Sequence, residues 1–155
     1  MKKSCFFIGH HDTGNELCPL LAESVERHIT EYGVTDFFVG DHGNFDSMAA
    51  AAVAEAKTHH PEVCLTLVLA YHPAERTVRV PNACDSIYYP WEGERILKRY
   101  AIVKTNRYMV QTCSYLIANA WHHFGGTGQI GDYARKREMK GLIKVSNLSQ
   151  KPNAL

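Results

Sequence analysis

Three glycine-bearing stretches hold the residues best suited to chemistry. They read Gly9-His10-His11-Asp12, Gly40-Asp41-His42-Gly43-Asn44-Phe45-Asp46 and Gly125-Gly126-Thr127-Gly128. Each follows an apolar run and precedes a segment of helix-forming residues. Strand, glycine turn, helix is the order of an anion site. Glycine lets the backbone approach a ligand, and the first helical N–H groups have no partner of their own. In the third stretch the N–H groups of Gly126, Thr127 and Gly128, with the Thr127 hydroxyl, can cradle a phosphate, and the helix dipole favours its charge. A tight strand-to-helix turn needs glycine for its φ angles alone, and three glycines in four residues exceed that need. In the second stretch Asp46 can cap a helix and can also accept hydrogen bonds from a ribose. The first offers His10, His11 and Asp12 as ligand contacts.

Other polar groups carry weaker signals. The chain has nine histidines, but the pairs at 10–11, 59–60 and 122–123 are adjacent, so their side chains diverge. No His-Glu-x-x-His or Cys/His spacing is present, and no metal site is expected. Arg95, Lys98, Arg99, Lys104 and Arg107 share one segment with Asn106. That is a solvated basic face, in which Arg99 and Arg107 can also meet a phosphate through a planar fork. Trp91 and Trp121 can stack a base or fill a core. There is no nucleophile elbow, Walker lysine or Ser/His/Asp set, and no Gly-x-Gly-x-x-Gly after the first strand.

The glycine stretches need elements that bring them together. Strands are expected at 5–8, 37–39, 63–70, 87–89, 115–121 and 142–145. Apolar Leu17, Leu20, Leu21, Val25 and Ile29 recur at helical spacing, with Gly33 as the C-cap. Thr13 and Glu16 have the spacing of a capping box, but Pro19 would then fall inside the helix. A separate first turn, with Pro19 opening the main helix, removes the conflict. Further helices are expected at 45–58, 94–112 and 127–140, with Gly141 as the last C-cap. Alternating strands and helices, with some strands apolar throughout, predict an α/β, Rossmann-like three-layer sandwich: a mostly parallel sheet with helices on both faces. All strand-to-helix junctions then open on one sheet edge, where ligands bind.

The chain has 155 residues, enough for a single domain over 1–146 with a polar tail at 147–155. It is 45% hydrophobic and 21% charged, as globular chains are. A formal net charge of +1 gives no electrostatic case for nucleic acid or membrane surfaces. No apolar run reaches transmembrane length, and the apolar part of the start is too short for a signal peptide, so a cytoplasmic location is expected. The five cysteines include no Cys-x-x-Cys pair, and Cys5, Cys64 and Cys113 read as reduced core residues.

Together these motifs resemble the YpsA-like branch of the SLOG superfamily, related to the DprA/Smf proteins and to the LOG (lysine-decarboxylase-like) phosphoribohydrolases. The resemblance rests on Phe6-Phe7-Ile8-Gly9-His10, on the glycine loop ending in Phe45-Asp46, on Asn106-Arg107-Tyr108-Met109-Val110, and on Gly125-Gly126-Thr127-Gly128 with Tyr133-Ala134. It implies a Rossmann-like fold and a pocket for a nucleotide or ADP-ribose-like ligand. Position by position it marks Gly9, His10, Gly40, Gly43, Asp46, Arg107, Gly125, Gly126 and Thr127. His11 stands where the family has arginine, and Cys113-Ser114 where relatives have Ser-Asp. LOG enzymes carry Pro-Gly-Gly-x-Gly-Thr followed by catalytic glutamates. Phe124 replaces that proline, and Gly131-Asp132 falls where the glutamates would be.

The expectation is a phosphate-containing ligand bound at the carboxyl edge of the sheet by a sensor or regulatory module, held by Gly9, His10, His11, Gly40, Gly43, Asp46, Arg107, Gly125, Gly126, Thr127 and Gly128. The alternative is a LOG-like hydrolase cleaving an N-glycosidic bond, with Asp132 as its acidic group and Arg107 on the phosphate. A third is an interaction scaffold with a vestigial pocket. No cofactor is expected, and no nucleic-acid or membrane partner. Analogy with related folds points to a homo-oligomer.

Overall fold

The computed structural model describes residues 2–10, 13–75, 77–119 and 126–148, and of residues 126–128 the backbone only. Among the described residues, six parallel strands form one sheet: β1 (Lys3–Gly9), β2 (Val34–Val39), β3 (Cys64–Val68), β4 (Ser86–Tyr88), β5 (Tyr115–Asn119) and β6 (Lys144–Asn147). The helices are α1 (Cys18–Thr30), α2 (Asn44–Lys57), α3 (Lys98–Thr112) and α4 (Gly126–Met139). The order across the sheet is β4-β3-β2-β1-β5-β6, so the direction of growth reverses between β1 and β5. This is the α/β, Rossmann-like sandwich that the alternating pattern implies.

Alternation along β1 shows how the layers separate. Cys5 and Phe7 point to the face covered by α1 and α2, where they meet Leu21, Val25, Phe37, Phe45, Val53, Leu65 and Leu67. Phe6 and Ile8 point to the other face, against Met109, Val110, Leu116, Ala118, Ile130 and Ala134. Alanines 49, 50 and 56 of α2 are buried, and their small size lets this helix lie close to the strands.

The helix ends follow local chemistry. A 3-10 turn (Asn15–Leu17) precedes α1, and proline sits in the first positions of that helix, where its missing N–H costs nothing. The Thr13–Glu16 capping box does not form. The Thr13 hydroxyl donates instead to the carbonyl of His10 at 2.7 Å, closing the turn after β1. Gly141, at φ 73°, follows the end of α4 in the left-handed position of a C-cap motif, whereas the C-cap of α1 is Glu31 and Gly33, also at φ 73°, stands two residues beyond it.

Several boundaries differ from the sequence expectation. The third long helix begins at Lys98 rather than 94, because Trp91 to Glu94 forms a turn closed by a 3.0 Å hydrogen bond and Gly93 at φ 78°. The last strand lies two residues further on, at Lys144–Asn147, and the Leu148 N–H donates to Ala118 at 2.7 Å. Cys64, expected in the core, is exposed at the start of β3, since the apolar run alternates inward from Leu65.

Candidate functional site

The carboxyl ends of β1 and β2 meet the start of α2, and two adjoining clefts open there. The smaller, about 200 Å³, is lined by Phe6 to Gly9, Gly40, His42, Asp46, Ile102 and Asn106. The larger, about 640 Å³, has Gly40, Asp41, Gly43, Asp46, Ser47 and Ala50 on one side and Arg79, Val80, Pro81 and Asn82 on the other. Gly40 and Asp46 belong to both. The first two glycine stretches therefore do converge, as a parallel sheet requires.

The Gly40–Asp46 loop is held by its own groups. The N–H of His42 donates to Oδ2 of Asp46 at 2.9 Å. A Cβ on Gly40 would lie 3.1 Å from that same oxygen and 3.2 Å from the His42 ring, a tight fit that either side chain must shift to admit. Desolvation pushes the Asp46 carboxyl from 3.8 up to about 6; the His42 N–H opposes this, and the charge of Asp41 adds to it. Near pH 6 this group passes between donor and acceptor. Gly43 adopts φ 155° and ψ −169° before α2, an extended conformation that glycine alone takes readily.

Gly9 has a different reason to be glycine. A Cβ there would fall inside the ring of Phe45, which is 1% exposed and fixed in the core. The end of β1 thus packs directly on the first turn of α2. Beside it, the Asn44 side-chain amide donates to the carbonyl of Thr13. The Asn119 amide donates to the Thr13 hydroxyl at 3.3 Å, joining the end of β5 to the turn after β1 across the point where strand order reverses.

Other sequence candidates fall elsewhere. The Arg107 guanidinium stacks on the Tyr133 ring at 4.6 Å, coupling α3 to α4. Asp132 lies on α4, 3.6 Å from Arg135, and lines neither cleft. Trp91 is core: its N–H donates to the Thr105 hydroxyl at 2.8 Å, with Tyr108 and Lys104 against its ring. Gly126, Thr127 and Gly128 form the first turn of α4. His11, Gly125, Phe124 and Trp121 lie outside the described residues. Among the described residues no His, Cys, Asp or Glu group is placed to hold a metal ion.

The sequence reading missed Arg79, Asn82, Ser47 and Ile102 as cleft residues. The segment 77–85 carries no periodicity, yet Lys57 of α2 ties it down by bonds of 2.7 and 2.8 Å to Asp85 and 3.0 Å to the Ala83 carbonyl. A further groove of about 560 Å³ runs along one face of the sheet, lined by Ser4, Asp36, Phe38, Thr66 and Tyr88 and by Tyr108 of α3. None of its lining residues belongs to the glycine loops.

No protein-family model matches this chain, and no curated protein matches it. Solved structures do. DNA processing protein A from Streptococcus pneumoniae superposes with a TM-score of 0.63 at 12% identity, over 96% of this chain and 60% of that one. The chain thus spans about three-fifths of the length of the pneumococcal protein. The molybdenum cofactor binding protein from Rippkaea orientalis gives 0.60 at 15% identity, over 96% and 91%. DNA processing protein A from Helicobacter pylori, described for its single-stranded DNA binding mode, gives 0.58 at 11% identity, over 94% and 76%. At such identities the likeness establishes the fold alone, the α/β, Rossmann-like sandwich described above.

One expectation is corrected by this comparison. The exclusion of nucleic-acid partners rested on a net charge of +1, yet a protein of the same fold has a single-stranded DNA binding mode. Net charge sums over the whole chain, whereas a nucleic acid meets a local surface. Lys98, Arg99, Lys104 and Arg107 of α3 are all exposed, so the sum excludes nothing. No helix among the described residues is long and apolar enough to cross a membrane.

Proposed function

We propose that this chain binds a nucleotide-derived, phosphate-containing ligand at the carboxyl edge of its sheet and acts as a sensor or regulatory module, in the manner of the YpsA-like branch and in the cytoplasm. The observation that carries the reading is the Asp46 carboxyl, shared by the two adjoining clefts beneath the glycine loops. It offers an acceptor for sugar hydroxyls where strand ends and a helix start converge. That neighbours of the same fold are described as binding molybdenum cofactor or single-stranded DNA supports ligand binding in general.

The test is a thermal-shift panel of nucleoside mono- and diphosphates and ADP-ribose, followed by chromatography for released base. The expected result is a concentration-dependent rise in Tm with at least one nucleotide, diminished in Asp46→Ala, without release of base. No shift across the panel removes the reading. Release of base that is lost in Asp132→Asn replaces it with the hydrolase.

A further inference from the structure

The larger cleft has two walls of opposite character. One is the start of α2 and the loop before it, bearing the carboxyls of Asp41 and Asp46 and the hydroxyl of Ser47. The other is the segment of Arg79, Val80, Pro81 and Asn82. Arg79 makes no hydrogen bond, ion pair or ring contact among the described residues, although Asp41 and Asp46 line the same cleft. A guanidinium and carboxylates that line one cleft without meeting leave room for something between them.

Arg79 itself is exposed, but the chain is anchored just beyond it. Pro81 to Cys84 forms a turn closed at 3.0 Å, and the carboxylate of Asp85 accepts from both Lys57 and the Leu65 N–H at 2.7 to 2.8 Å. Lys57 belongs to the helix that carries Asp46, so α2 bears one wall and holds the residues that follow the other.

Resting on the nucleotide reading above, we infer that Arg79 binds the anionic group of the ligand across the cleft from Asp46, which takes the ribose hydroxyls. The polarity of the walls dictates this order. A phosphate against Asp41 and Asp46 would meet like charge, whereas a planar five-donor fork matches its oxygens. Hydroxyl donors suit the carboxylate wall. The ligand class is a ribonucleotide with a free 2′,3′-diol and an accessible phosphate, and Arg79 sets the preference for phosphate over the bare nucleoside.

Isothermal titration of the full chain with AMP, adenosine and 2′-deoxy-AMP tests this. Wild type should bind AMP at least about tenfold more tightly than adenosine, and Arg79→Gln should abolish that gap. Arg79→Lys should restore part of it, since lysine keeps the charge but not the fork. Asp46→Asn should leave the phosphate gap and narrow the preference for AMP over 2′-deoxy-AMP. An unchanged AMP-to-adenosine gap in Arg79→Gln overturns the inference while the nucleotide reading stands. So does wild-type protein that binds another nucleotide but not AMP. Wild-type protein that binds no nucleotide removes both.

Discussion

The main-chain N–H of His42 donates to Oδ2 of Asp46 at 2.9 Å, across the glycine loop that ends β2. This bond lowers the carboxyl's affinity for a proton, yet desolvation outweighs it and holds the group at about 6 against an ordinary 3.8. The folded state therefore binds more protons than the unfolded chain between those two values. Stability contributed by Asp46 is fully present below pH 3.8 and is lost as pH rises through 6, with a slope of at most about 1.4 kcal/mol per pH unit. Urea denaturation of wild type and Asp46→Asn from pH 4 to 7 checks this. The variant keeps an acceptor for the His42 N–H but does not titrate, so it should gain on wild type as pH rises. Parallel profiles would show that the carboxyl is not held in this way.

The Gly9–Phe45 contact gives a second expectation. Adding one methyl group at position 9 forces it into a ring that is 1% exposed and cannot swing away. Overpacking of this kind costs about 1–3 kcal/mol. Gly9→Ala should lower the Tm, and Phe45→Leu should recover part of the loss when combined with it. A double-mutant cycle with a coupling energy above about 0.5 kcal/mol establishes the contact, and additive losses refute it.

The two glycines beside the clefts stand out in the sequence alike but answer to different constraints. Gly40 reads as a site residue, and the structure sets it in the lining of both clefts, close against the carboxylate of Asp46. Gly9 reads the same way, yet its tightest constraint is packing, which spacing alone cannot separate from ligand approach. The strand–helix alternation was legible because burial on two faces leaves a period in the residues. Arg79 was not, because an aperiodic segment is placed by distant partners, here Lys57 of α2 and Leu65 of β3. Arg107 was marked by motif, but its guanidinium lies on Tyr133, a contact between two helices that no local pattern announces.

His28 supplies a pH dependence of opposite sign. Its side chain is wholly buried between Tyr32 and Tyr115, with ring centroids at 5.0 and 5.7 Å. Nδ1 lies 2.7 Å from the Ser24 carbonyl, which only accepts, so Nδ1 carries the proton and Nε2 is a lone pair. That Nε2 has no hydrogen-bond partner among the described residues, and desolvation holds the imidazole below its usual 6.5, with the charges of Lys144 and Arg27 adding to the effect. The unfolded chain then binds more protons than the folded one just below pH 6.5. Stability contributed by neutral His28 is present above that pH and is lost as pH falls, again by at most about 1.4 kcal/mol per unit. His28→Phe keeps an aromatic ring between the two tyrosines and cannot titrate. Denaturation midpoints measured from pH 5 to 7.5 should fall on acidification more steeply in wild type than in the variant, and most clearly in the Asp46→Asn background, where the opposing carboxyl is silent. Equal acid sensitivity of the two proteins in that background would rule out a buried neutral imidazole at position 28.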